Sequence, residues 1–313
     1  MAFSAFRGMK PFQQLIFSGF IILISFLSVT LLSVVVAIPA FGLNSLINIP
    51  TINDIDNPES IRILKYFQVV QSIGLFIIPP LIIGWLFSEK LYEYLFINRS
   101  VTGSSVVLAI LITIFALPFI NFTGELNSRM ELPQWLSGME RWMKNTEENA
   151  GLLTEAFLKA ETIWGLLFNI FMIAFLPAIG EELLFRGVIQ KIFTGWTKNH
   201  HWGIWITAIL FSALHIQFYG FVPRMLLGVM FGYMLIWSGS IWLPVIAHFV
   251  NNGFAVMAIY FINKNMLDPK VENIGSTPDS YYSAFLSFAV VCALLLIMKR
   301  SNRDNIVQIK ETY

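Results

Sequence analysis

Charge is what this sequence has least of. Charged residues fill 12% of its 313 positions, while hydrophobic residues fill 56%. A soluble domain carries about 25% charged residues. Mean hydropathy is +0.69. A soluble globular chain is therefore excluded, and a polytopic membrane protein is expected. Net charge is almost absent too, at +1, so no nucleic-acid or acidic partner is expected. Cysteine is reduced to Cys292, inside an apolar run. One thiol forms no internal disulfide and says nothing of the redox compartment. Internal repeats, low-complexity tracts and a His-Glu-x-x-His motif are all missing. No cleavable signal peptide is evident, and the apolar stretch Leu15–Leu43 is too long for one, so it is expected as a retained helix.

What is present is a series of apolar runs. About twenty apolar residues cross the hydrocarbon core. The runs predict an all-α polytopic helix bundle of about eight transmembrane helices, near 15–40, 67–87, 104–123, 163–188, 203–219, 222–237, 241–262 and 281–298. The Ile77–Pro80 stretch and Pro118 are expected to kink the second and third spans, with neighbouring helices satisfying the freed backbone groups. Eight crossings leave both ends on one side. Arg7 and Lys10 near one end and Lys299, Arg300, Arg303 and Lys310 near the other predict that both termini are cytoplasmic. The expected location is the plasma (inner) membrane. The glutamate-rich segment 124–162 then lies outside, and its Pro133–Asn145 stretch reads as an interfacial helix anchored by tryptophans.

Intramembrane histidines and carboxylates fall only after about residue 165. This splits the chain into a scaffold region with an acidic external loop (1–160), a chemical region (161–262), and a last span with a basic cytoplasmic tail (263–313). Three clusters carry the chemistry. Glu181 and Glu182 lie beside Arg186 in an apolar helix. Each such charge costs about 2.5–3.5 kcal/mol at the helix centre. Glu182 and Arg186 are four apart on one face and suit an ion pair. Glu181 is rotated about 100° and stays free, either for chemistry or to reach the headgroups. His215 has Phe211 four residues earlier as a wall. It serves either catalysis or interhelical hydrogen bonding. His248 and Asn252, again four apart, can aim two donors at one oxyanion, or form a polar packing patch, with Asn251 pointing elsewhere. His200 and His201 sit in a short interfacial loop and carry no expected chemistry. No serine or thiol nucleophile accompanies these groups, so the simplest nucleophile is a carboxylate-activated water.

These residues resemble the CAAX prenyl endopeptidase and bacteriocin-processing (CPBP, or Abi) family of intramembrane proteases. The family's glutamate pair, with its arginine after three intervening residues, stands here as Glu181, Glu182 and Arg186. Its Phe-xxx-His is Phe211 and His215, and its His-xxx-Asn is His248 and Asn252. The likeness covers roughly 165–262. It implies an endopeptidase acting on a membrane-associated or lipid-anchored peptide or protein. Glu181 would activate water with help from His215, His248 and Asn252 would hold the oxyanion, and Glu182, Arg186 and Phe211 would support the site. No cofactor is expected. The alternative is Zn2+ on Glu181, His215 and His248. An alternative function is a non-enzymatic immunity or scaffold protein that binds a partner through the same polar cavity. Counting residues puts Glu181 about 6 Å inward of the bilayer midpoint and His215 about 6 Å outward, a mismatch left to helix tilt, unequal helix ends or wrong boundaries. A cavity facing the cytoplasm is expected.

Overall fold

A computed structural model describes residues 4–303. Lys310 lies outside the described residues. Among these the chain is helical and contains no strand. Nine longer helices organise the described residues: α1 (Pro11–Phe41), α2 (Pro58–Phe87), α3 (Gly103–Ser128), α4 (Ser137–Leu158), α5 (Ile163–Thr197), α6 (His200–Ala213), α7 (Phe221–Ser238), α8 (Trp242–Asn263) and α9 (Pro278–Ser301). Seven of them, all but α4 and α6, are long and apolar enough to cross a membrane. The protein is a multi-pass integral membrane protein. The expected span at 203–219 is the exception. It is a helix of 14 residues that ends before His215. Fourteen residues rise only ~21 Å, short of the ~30 Å hydrocarbon core. An irregular turn over residues 214–220 completes the path.

Helix ends sort onto two faces of the bundle. On the first, Arg7 pairs with Glu89, the Trp242 indole donates to the Ile97 carbonyl, and Asn302 bonds Ser105. On the second, Asn127 donates to Phe218 O and accepts from Val222 N, Asn121 donates to the Glu272 and Ile274 carbonyls, and Lys264 donates to Glu161 O. The described residues nearest the two chain ends share the first face. The amphipathic α4 lies at the second.

Sequence explains the inversion of the usual pattern. On α1, Leu23, Ile24, Leu31 and Leu32 are exposed, while the buried positions are Ser18, Ser25, Ser33 and Ala37. Lipid is as apolar as leucine, so small residues face neighbours and let backbones approach. Gly228 and Gly232 do the same on α7. A Cβ at Gly228 would stand 3.1 Å from Ala208 Cβ on α6. This close packing leaves the Gly228 and Gly232 carbonyls open to α5, where Arg186 and Gln190 donate to them at 3.2 and 3.3 Å.

Prolines shape the long helices. Pro79 and Pro80 remove two ladder donors, and the preceding turn, Ile73–Ile77, widens to π geometry with Ile78 N–H on Ile73 O. The same device recurs in α5. Its π turn at Ile170–Phe175 precedes Pro177, and a second at Phe185–Ile189 follows the glutamate pair. Pro118 sits within an uninterrupted α3. There Ser287 of α9 donates to Phe115 O and accepts from Phe119 N, so a neighbouring helix repairs the ladder as expected.

Helix α2 meets α5 most closely beside the glutamates. A Cβ at Gly180 would lie 2.8 Å from Phe76 Cβ and 3.2 Å from its backbone carbon. Backbone cannot yield as a side-chain tip can. Gly180→Ala is expected to cost about 1–3 kcal/mol through overpacking, read as a lowered thermal midpoint of the detergent-purified protein. An unchanged midpoint would show that the two helices are free to separate.

Candidate active site

Glu181 and Glu182 project from α5 between its two π turns, and their fates differ as the helical spacing predicts. Glu182 is fully buried. One of its oxygens lies 3.0 Å from Arg186 Nε, and the other lies 2.8 Å from His248 Nδ1 on α8. Arg186 is buried as well, donates Nη2 to Gly228 O, and stands 4.7 Å from the Phe211 ring centre and 5.6 Å from that of Phe231. Its charge is thus met by a carboxylate, a carbonyl and two aromatic faces. Glu181 makes no such pair. Its Oε2 is 3.9 Å from His248 Nε2, and its side chain borders a cavity.

That cavity has a volume of about 520 Å³ and is lined by Glu181, His215, His248 and Asn252 together. Four side chains, drawn from α5, the 214–220 turn and α8, therefore converge. Asn251 also lines it, contrary to the expectation that it points elsewhere, and donates to Asn252 Oδ1 at 3.1 Å. The Asn252 amide in turn donates to Ile173 O at 3.1 Å. Pro177 has no N–H to give to that carbonyl, four residues back. The proline on α5 thus creates the acceptor that orients an amide on α8. One N–H of Asn252 is left for a ligand.

Each imidazole is oriented by a partner that can only accept. Phe211 O accepts from His215 Nδ1 at 2.7 Å, and the Glu182 carboxylate accepts from His248 Nδ1. In both rings Nε2 remains as the free nitrogen. Phe211 is the wall beside His215, with ring centres 4.9 Å apart, and it also meets Arg186. The far side of His248 stacks on Phe231 at 5.3 Å. The turn that carries His215 is strained. Ile216 has a φ of 55°, a left-handed conformation that a β-branched residue disfavours.

The position of the cavity corrects one expectation and resolves one open point. It is lined from one side by Ala150, Leu153, Thr154 and Phe157 of α4. It therefore belongs to the second face, opposite the face shared by the chain ends, and not to the termini's side. The depth mismatch between Glu181 and His215 also disappears. Helix α5 runs on to Thr197, while His215 lies beyond the end of the short α6. Unequal helix ends and a shorter helix than the expected span at 203–219 absorb it, two of the reasons the sequence left open.

Several lining groups escaped the sequence reading. Arg224 on α7, Gln68 on α2 and Ala150, Leu153, Thr154 and Phe157 of α4 border the cavity. Arg224 offered a signal, being a lone charge in an apolar span. The zinc alternative needs Glu181, His215 and His248 at one point. Among the described residues no three His, Cys, Asp or Glu groups gather closely enough to hold a metal ion. The donor set as arranged does not fit zinc, and no step below is routed through one.

Residues 163–254 match the family model of the Rce1-like type II CAAX prenyl endopeptidases. This segment is similar to the Rce1-like family. The Rce1-like segment contains every site residue singled out from the sequence, from Glu181 to Asn252. The likeness to CAAX prenyl endopeptidases is confined to residues 163–254. A curated protein of Bacillus subtilis (strain 168), "Uncharacterized protein YpbD", is 29% identical over 111 residues, which are 34% of this chain and 54% of that protein. The chain spans about half the length of this relative. No solved structure matches significantly.

Proposed function

We propose that the protein is an intramembrane endopeptidase that hydrolyses a peptide bond in a membrane-associated or lipid-anchored substrate, with Glu181 activating the water. The observation that carries this reading is the convergence of Glu181, His215, His248 and Asn252 on one cavity. A water held between the Glu181 carboxylate and His215 Nε2 loses a proton to Glu181 as its oxygen attacks the scissile carbonyl. The proton then passes to the departing amine as the C–N bond breaks. The developing oxyanion takes the remaining N–H of Asn252 and Nε2–H of His248. His248 can donate there only as imidazolium, because Nδ1–H is already given to Glu182.

Loop charges support an orientation. The first face carries Arg7, Lys10, Lys90, Arg99, Lys198, Lys299, Arg300 and Arg303 against Glu89 and Glu93, an excess expected of the cytoplasmic side. In that orientation α4 and the cavity mouth face away from the cytoplasm, in the plasma membrane where we place the protein.

The test is reconstitution of the purified protein in lipid vesicles with acyl-anchored peptides, with the products mapped by mass spectrometry. Cleavage at one bond supports the reading, and intact peptides with folded protein refute it. The donor arrangement adds an expectation. Turnover should change less than twofold with EDTA or 1,10-phenanthroline, and a loss that Zn2+ restores would reinstate the metal.

A further inference from the structure

Arg224 has no part in the chemistry above. It is the only lysine or arginine among the described residues lining the cavity. Its guanidinium is held in place. Nη1 donates to Gln217 O at 3.3 Å and Nη2 to Gln217 Oε1 at 2.7 Å, so one residue of the strained turn grips it twice. Gly220 leaves it room, since a Cβ there would lie 3.0 Å from Arg224 Nη2. A guanidinium has five N–H donors, and Gln217 takes two. Among the described residues no carboxylate forms an ion pair with Arg224. Glu147 on α4 and Glu181 act on it only through their fields, and Glu147 accepts instead from Tyr219 N. A half-buried, pre-aimed fork without a counter-ion, in the same cavity as a reactive carboxylate, is built for an anion.

We propose that Arg224 forms a carboxylate-recognition subsite that binds a carboxylate of the substrate peptide near its scissile bond. The proposal rests on the endopeptidase reading and deepens it. A carboxylate matches the planar fork in bidentate fashion. Two sources share this chemistry: the free C-terminus of the chain being cut, or an aspartate or glutamate side chain. Either would sit opposite Glu181, so Arg224 also prevents that anion from meeting Glu181 unscreened.

The probe is a fluorescent, N-acylated peptide of about eight small and apolar residues. It is made as the free acid, as the C-terminal carboxamide, and as the carboxamide with one aspartate near the end. Binding is measured to the full chain carrying Glu181→Gln, so that turnover does not interfere. At least one carboxylate-bearing peptide is expected to bind about 10–100-fold more tightly than the plain carboxamide, and the peptide that does so identifies the source. Adding Arg224→Gln should erase the preference, while Arg224→Lys should keep only part of it. Equal binding of all three peptides, or a preference that survives Arg224→Gln, overturns the subsite. If the glutamine variant does not fold, Arg224→Lys decides: a preference cut several-fold supports the bidentate fork and an undiminished one overturns it. Cleavage by the wild-type protein is scored separately. Carboxylate preference without cleavage defeats the endopeptidase reading and leaves the subsite standing. Cleavage without preference does the reverse.

Discussion

Glu181→Gln is expected to lower turnover by about 10²–10⁴-fold, the range that general acid–base catalysis supplies, while the purified protein keeps its yield and thermal midpoint. The substitution keeps shape and removes only the proton acceptor. Folding should tolerate it because Glu181 supports no neighbour. His248 Nε2 is 3.9 Å away, and Arg186 is engaged by Glu182. Peptide cleavage and thermal unfolding of the same preparation check both halves. Turnover within threefold of wild type would remove Glu181 from the chemistry. The cellular phenotype adds a second comparison. A phenotype lost with Glu181→Gln in folded protein supports hydrolysis. One untouched by Glu181→Gln, His215→Ala and His248→Ala supports the immunity or scaffold alternative, which needs the cavity but no base.

The parts of the site legible in the sequence were those that depend only on helical spacing. Glu182 and Arg186 meet on one face because four residues separate them, and the same arithmetic joins Phe211 to His215 and His248 to Asn252. Composition and the length of the apolar runs revealed the helical bundle. Longer-range relations were hidden for identifiable reasons. Each π turn adds a residue to one turn and rotates everything beyond it, so a single helical wheel fails across α5. Hydropathy extended the fifth expected span to residue 219 because the 214–220 turn is itself apolar, and this misplaced His215 in depth. The α4 wall lies beyond the Pro133–Asn145 stretch read as an interfacial helix, in a segment taken only as an external loop, and nothing local shows that Ala150, Leu153 and Phe157 border a cavity. The Asn252–Ile173 bond needs two helices and a proline on one of them. No local pattern announces that.

Arg186→Ala is expected to be the most destabilising substitution in the site. Removing one partner of a buried ion pair typically costs about 3–5 kcal/mol, because the other charge remains buried and unmet. Here the abandoned group is Glu182, fully buried with only His248 beside it. The lost side chain also vacates the space between the Phe211 and Phe231 rings and frees the Gly228 carbonyl. Yield after size-exclusion chromatography and the thermal midpoint should both fall far below those of Glu181→Gln. Equal yields of the two variants would contradict the division into a structural and a reactive glutamate. Replacing both members with apolar residues of similar volume, Glu182→Leu with Arg186→Met, separates folding from chemistry. Burying no charge at all can be neutral or better for stability, so the double variant should recover most of what Arg186→Ala loses. It should nonetheless stay inactive, because His248 then has no carboxylate to accept Nδ1–H, balance an imidazolium and hold its ring against Phe231. Recovery of stability together with turnover would show that the buried pair only fills space and does not aim His248.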